Sequence, residues 1–121
     1  MQMMSWQIYV VDDDRDTADA LAASLERMGH SGVAFYDGAT TWESIVRSKP
    51  DCVLLDIAMD GMDGLALASA IRDRFGDDVV LIAITGAELD SKLVKSTFGM
   101  VDHYFVKPLD MSRLEAVLLR K

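Results

Sequence analysis

This sequence has one cysteine, two prolines and only 12 basic residues against 20 acidic ones. The lone Cys52 excludes a disulfide framework within the chain. Its place in the apolar run "CVLL" reads as a small buried hydrophobe, not a nucleophile or a metal ligand, which fits a reducing, cytoplasmic setting. The formal charge of −8 comes without any Lys/Arg cluster, so the phosphate contacts that drive nucleic-acid binding have no source and direct binding to DNA or RNA is not expected. No run approaches the roughly 18 apolar residues that cross a bilayer. The opening "MQMMSWQ" has neither the positive stretch nor the apolar core of a secretion signal, so no membrane insertion is expected. Repeats, low-complexity tracts and Pro/Gly-rich linkers are also missing. What is present is 121 residues, 50% of them hydrophobic, enough to fill one core, and the expectation is a single domain over 1–121.

Short apolar runs alternate with helical patterns. Strands are expected at 7–11 ("QIYVV"), 33–36 ("VAFY"), 51–55 ("DCVLL"), 79–84 ("VVLIAI") and 103–106 ("HYFV"). A helix over 16–28 places Ala18, Leu21, Leu25 and Met28 on one face before Gly29 stops it. A shorter one from about Thr40 to Ser48 turns Trp42, Ile45 and Val46 inward. Further helices are expected from about Leu65 to Phe75, near 88–98 with Leu89, Leu93, Val94 and Phe98, and at the end of the chain. There Asp110 or Ser112 serves as N-cap and Leu114, Val117 and Leu118 face inward. Five βα units with unbroken apolar strands imply a parallel sheet with right-handed crossovers and helices on both sides. Ligands of such sheets bind beyond the carboxyl ends of the strands.

Those ends carry the chemistry. Strand one runs into Asp12, Asp13 and Asp14, strand three into Asp56, strand four into Thr85 and strand five into Lys107-Pro108; strand two alone ends without a suggestive residue. On one rim, carboxylates from strands one and three meet at the centre with a hydroxyl and an ammonium beside them. Crowded carboxylates without a local cation suit a hard divalent ion, and Mg²⁺ takes such oxygens while keeping waters and recruiting phosphate oxygens. Each residue alone has a plainer reading as a turn, cap or solvated side chain. Their coincidence on one rim argues for function. A calcium loop is the first rival, since Asp12, Asp14 and Asp16 sit at positions one, three and five of that pattern, but Thr17 and Ala23 stand where its glycine and glutamate belong.

"VVDDD", "VLLDIAMDGMDGL", "AITG" and "YFVKPLD", in this order and at this spacing, resemble the receiver domains of two-component response regulators over about 7–120. The resemblance implies a flavodoxin-like (βα)5 three-layer sandwich with five parallel strands in the order 2-1-3-4-5. It implies Asp56 as the phosphoacceptor, and Asp12, Asp13, Asp56 and the backbone carbonyl of Ala58 as ligands of Mg²⁺, for which Mn²⁺ can substitute. Thr85 and Lys107 become the groups that hold the phosphoryl oxygens, and Thr85 and Tyr104 the switch. The phosphodonor is then a histidine kinase or a histidine phosphotransfer protein, and the chain is a phosphoacceptor and not an enzyme in the usual sense. Asp14 has no assigned role and is read as a solvated residue or a helix cap. "VDHYFVKPLD" more closely resembles receivers fused to hybrid histidine kinases than those joined to DNA-binding domains.

The chain departs from the pattern in places. Met59-Asp60-Gly61 replaces the common Met-Pro-Gly, losing a fixed φ and adding a carboxylate. Gly86 keeps the expected small residue after Thr85, and Gly99 lies one residue further from Tyr104 than expected. Ala58 and Ala87 lack the polar side chains that orient a hydrolytic water, which implies slow self-dephosphorylation. Pro108 reads either as a cis-peptide residue aiming Lys107 into the site or as a residue leading into the last helix. Two rivals to the receiver reading remain. One is a phosphatase of the haloacid dehalogenase type, which places its nucleophile after strand one; the other is an interaction module that is never phosphorylated, against which the intact set of Asp12, Asp13, Asp56, Thr85 and Lys107 argues.

Overall fold

The computed structural model describes residues 5–57, 64–86 and 99–119. It contains β1 (Gln7–Val11), α1 (Arg15–Arg27), β2 (Ser31–Phe35), α2 (Gly38–Arg47), β3 (Cys52–Asp56), α3 (Gly64–Phe75), a 3₁₀ turn (Gly76–Asp78), β4 (Val80–Thr85), β5 (His103–Val106) and α4 (Met111–Leu119). The helix expected near 88–98, the Met59-Asp60-Gly61 loop, Ala58 and Ala87 lie outside the described residues. The five strands form one sheet in the order β2-β1-β3-β4-β5, every pair parallel. This is the strand order of the flavodoxin-like fold that the resemblance implies. No helix among the described residues is long and apolar enough to cross a membrane.

Strand alternation builds the two cores. Ile8, Val10, Cys52, Leu54, Ile82 and Ile84 face one side and pack against Ala18, Ala22 and Leu25 of α1 and Leu114 and Leu118 of α4. Tyr9, Val11, Val53, Leu55 and Leu81 face the other, against Ile45 of α2 and Leu67, Ala68 and Ile71 of α3. Because β3 lies at the centre and is covered on both faces, all five of its residues are buried, which is why its sequence shows no polar alternation.

Main-chain hydrogen bonds set the boundaries where hydrophobicity alone misplaces them. β2 starts two residues before the expected "VAFY", because the Ser31 N–H donates to Trp6 O at 2.8 Å and Ser31 registers against Gln7. α2 starts at Gly38 because Asp37 caps it, accepting from Thr40 N at 2.6 Å. Ile45 is fully buried as expected, but Val46, one residue further round the helix, is 41% exposed. Trp42 is half-buried and meets Phe75 with ring centroids 6.4 Å apart. Asp14 caps α1 by accepting from Asp16 N and Thr17 N, and Gly29, at φ 95°, ends the turn after it. Asp110, not Ser112, leads into α4, accepting from Ser112 N at 2.9 Å.

At the edge of the sheet opposite the aspartates, one side chain joins three elements. Arg72 of α3 donates to Met100 O at 2.7 Å, to Gly76 O at 2.7 Å, to Val79 O at 3.0 Å and to Asp102 Oδ2 at 2.8 Å. Asp102 Oδ2 also accepts from Leu81 N at 2.9 Å, so the start of β4 and the approach to β5 are fixed to the end of α3. Arg72→Ala strands these acceptors and is expected to cost about 2–3 kcal/mol in a urea unfolding measurement. A loss below about 0.5 kcal/mol, the range of idle surface positions, would show that Arg72 fixes nothing.

Candidate phosphoryl and metal site

Period-two alternation decides which strand-end residues can meet. Asp12 continues the phase of Ile8 and Val10, Asp56 that of Cys52 and Leu54, and Lys107 that of Phe105, so all three side chains leave the sheet on the α1/α4 face. The register brings them level: Val11 pairs with Leu55, Asp56 with Ile84 and Thr85 with Val106, and Lys107 N donates to Thr85 O at 2.8 Å. Adjacent strands lie about 4.8 Å apart, so Asp12 and Asp56 are forced into proximity by the backbone. Thr85 has the opposite phase and shares the face of Ala83 and Tyr104, which pair across β4 and β5.

The outcome is a compact acidic cluster. One carboxylate oxygen from each of Asp12, Asp13 and Asp56 lies within 4.8 Å of the others. Asp12 is 5% exposed and Asp56 8%, whereas Asp13 is open to solvent. Lys107 Nζ stands 3.1 Å from Asp12 Oδ2 and 3.4 Å from Asp56 Oδ2, bridging the two buried carboxylates. Asp12 Oδ1 accepts from Asp14 N at 3.0 Å, which steadies the turn between β1 and α1. Burial works against the Lys107 charge, but the hydrogen bond to Asp12 and the charges of Asp56 and Asp12 outweigh it, holding this ammonium above its ordinary range. The Lys107-Pro108 bond is cis. Among the described residues, three carboxylates against one ammonium leave two formal negative charges on an all-oxygen donor set, the chemistry that suits Mg²⁺.

The expected residues therefore fall into two groups. Asp12, Asp13, Asp56 and Lys107 converge, and Asp14 serves as the cap of α1. Thr85, fully buried, sits one strand over with Tyr104, whose hydroxyl is buried too. Burial pushes the Tyr104 phenol up, and the nearby Thr85 hydroxyl draws it back only in part. Ala58 lies outside the described residues. A cavity of about 690 Å³ opens beside the cluster between α1 and the Lys107–Met111 segment, with Asp12 and Lys107 at one end and Leu21, Ile84 and Leu109 along it.

Two contributors escaped the sequence reading. Gly64, the first residue of α3, packs so closely on the end of β3 that an added Cβ would run into Ile57 Cα and the carbonyl oxygen of Asp56. Tyr36 follows β2, the strand whose end carries no suggestive residue in the sequence, and holds the Arg15 guanidinium over its ring at 4.1 Å. A glycine in a motif that contains one other, and a tyrosine read as the end of an apolar run, give no signal without the neighbouring element.

A family model described as the response regulator receiver domain matches residues 8–119. The response regulator MprA of Mycobacterium bovis (strain BCG / Pasteur 1173P2) is 34% identical over 121 residues, covering 98% of this chain and 52% of that protein. The chain thus spans about half the length of the curated relatives it matches. Among solved structures, TrrA of Thermotoga maritima in complex with Mg(2+)-BeF is similar with a TM-score of 0.82 and 28% identity, over 98% of both chains. The BeF3-activated N-terminal receiver domain of RstA from Klebsiella pneumoniae gives 0.83 and 28%, over 97% of both.

Proposed function

We propose, from the premise that this chain belongs to the response regulator receiver domain family, that it accepts a phosphoryl group on Asp56 from a histidine kinase or a histidine phosphotransfer protein. Receiver domains of response regulators are phosphorylated by histidine kinases, and the observation that carries the reading to these residues is the cluster of Asp12, Asp13 and Asp56 with Lys107 across it. An Asp56 oxygen attacks phosphorus in line, the P–N bond to the donor imidazole breaks, and that nitrogen keeps the electron pair. Little covalent help is needed, so the work is positioning and charge neutralisation. Lys107 exchanges its Asp56 contact for a phosphoryl oxygen, and the Thr85 hydroxyl takes another. Asp12, Asp13, Asp56 and the Ala58 carbonyl are the proposed holders of Mg²⁺ or Mn²⁺, which when bound offsets charge on the transferring oxygens.

Movement of Thr85 toward the phosphoryl group then leaves room beneath β4 for the Tyr104 ring, changing the surface of β5 and α4. On this reading the chain is a switch that assists its own phosphorylation, acts in the cytoplasm as one receiver domain, and reaches its downstream target through protein contacts. The test is incubation with acetyl phosphate or a phosphorylated kinase. Stoichiometric labelling that requires Mg²⁺ and disappears with EDTA is expected, and absence of labelling in Mg²⁺ would sink the proposal. Because Ala58 and Ala87 carry no polar side chain to orient water, the acyl phosphate is expected to decay slowly once the donor is removed; a lifetime of only seconds would refute this.

A further inference from the structure

Arg15 is the first residue of α1 and stands two positions after Asp13. A cation there opposes the positive end of the helix dipole, and the carboxylates of the rim are its obvious counter-charge, with a guanidinium fork shaped to take them. The side chain goes elsewhere. Its guanidinium carbon lies 4.1 Å from the centroid of the Tyr36 ring, and the Tyr36 hydroxyl donates to Asp19 Oδ1, one helical turn beyond Arg15. Among the described residues the ion pairs are made by Arg72 and Lys107, and Arg15 takes part in none. Tyr36 is at the level of the rim, since its neighbour Phe35 accepts from Asp12 N at 3.1 Å. The hydrogen bond to Asp19 holds the Tyr36 phenol above its ordinary range, and the Arg15 guanidinium beside it draws it back only in part.

We infer that Tyr36 is a positioning residue that holds Arg15 off the acidic rim, leaving Asp12, Asp13 and Asp56 offset, among the described residues, by Lys107 alone and open to a divalent cation. The inference rests on the proposed reading of the rim as a Mg²⁺ site. The charges explain the need for such a device. Lys107 leaves two negative charges on the cluster; a second cation from Arg15 would leave one, and Mg²⁺ would have to displace a bidentate partner to bind. The Arg15 guanidinium is exposed and the Tyr36 ring half-buried, and at a solvent-exposed site such an attraction is equivalent to a factor of about two to five in population, which sets the size of the effect.

The experiment is calorimetric titration of Mg²⁺ into the full chain and its variants at fixed ionic strength, with a thermal melt of each. Tyr36→Leu keeps an apolar side chain but removes ring and hydroxyl, and is expected to weaken Mg²⁺ binding by about two- to fivefold. Tyr36→Phe keeps the ring and stays near the wild-type value. Adding Arg15→Gln to Tyr36→Leu restores the affinity, which a merely structural role of the ring would not do. A Kd unchanged or tightened in Tyr36→Leu, or a loss that Arg15→Gln leaves in place, overturns the inference while Mg²⁺ binding by the wild type still stands. Wild-type protein that binds no Mg²⁺ overturns the metal-site reading itself, and this inference with it.

Discussion

Asp56→Asn is expected to yield a folded protein that takes no phosphoryl label. Asparagine has the shape of the aspartate but no anionic oxygen to attack phosphorus, so labelling by acetyl phosphate or a charged kinase is expected to fall to background. Loss of the fold is not the cause on this account. Asp12 and Asp56 sit on adjacent strands about 4.8 Å apart, where two like charges repel by roughly 3 kcal/mol at an effective dielectric of about 20. Lys107 offsets part of that repulsion through both carboxylates. Removing one charge relieves the remainder and leaves the ammonium paired with Asp12, so the urea midpoint of the variant should equal or exceed that of the wild type. Label retained by Asp56→Asn would move the acceptor to another residue, with Asp12 and Asp13 the next to test.

The same strand arithmetic explains what was legible in the sequence. A central strand covered on both faces has to be apolar throughout, so β3 showed itself and its end pointed to Asp56. Five short apolar runs separated by helical patterns argued for a parallel sheet, and a parallel sheet puts every carboxyl end on one rim. The phase of each side chain was hidden, because phase depends on register. Asp12, Asp56 and Lys107 project on the α1/α4 face, while Thr85 lies on the opposite one with Tyr104. Boundaries drifted where caps and ladder bonds override hydrophobicity, as at Ser31 and Gly38. Contacts between distant segments left least trace: neither the reach of Arg72 to Asp102 nor the stacking of Arg15 on Tyr36 has a local pattern to betray it.

Gly64→Ala should be the most disruptive single methyl group in the described chain, and its effect should appear at Asp56. Gly64 is not among the glycines at positive φ, Gly29 and Gly76, so alanine is conformationally acceptable there and gains helix propensity. The cost comes from contact alone. The new Cβ meets Ile57 Cα and the Asp56 carbonyl, backbone atoms that cannot turn aside as a flexible side chain would. Either the start of α3 lifts or the end of β3 shifts, and the second displaces Asp56 from Lys107. Overpacking of this kind costs about 1–3 kcal/mol and occasionally more, and the backbone partners put Gly64→Ala at about 3 kcal/mol, with slower Mg²⁺-dependent labelling. Gly29→Ala is the control: its φ is 95° and nothing lies within 4 Å of the added Cβ. That variant should lose about 1 kcal/mol through backbone strain with labelling intact. Equal losses of stability and labelling in the two variants would mean that the close approach of α3 to β3 does not set the position of Asp56.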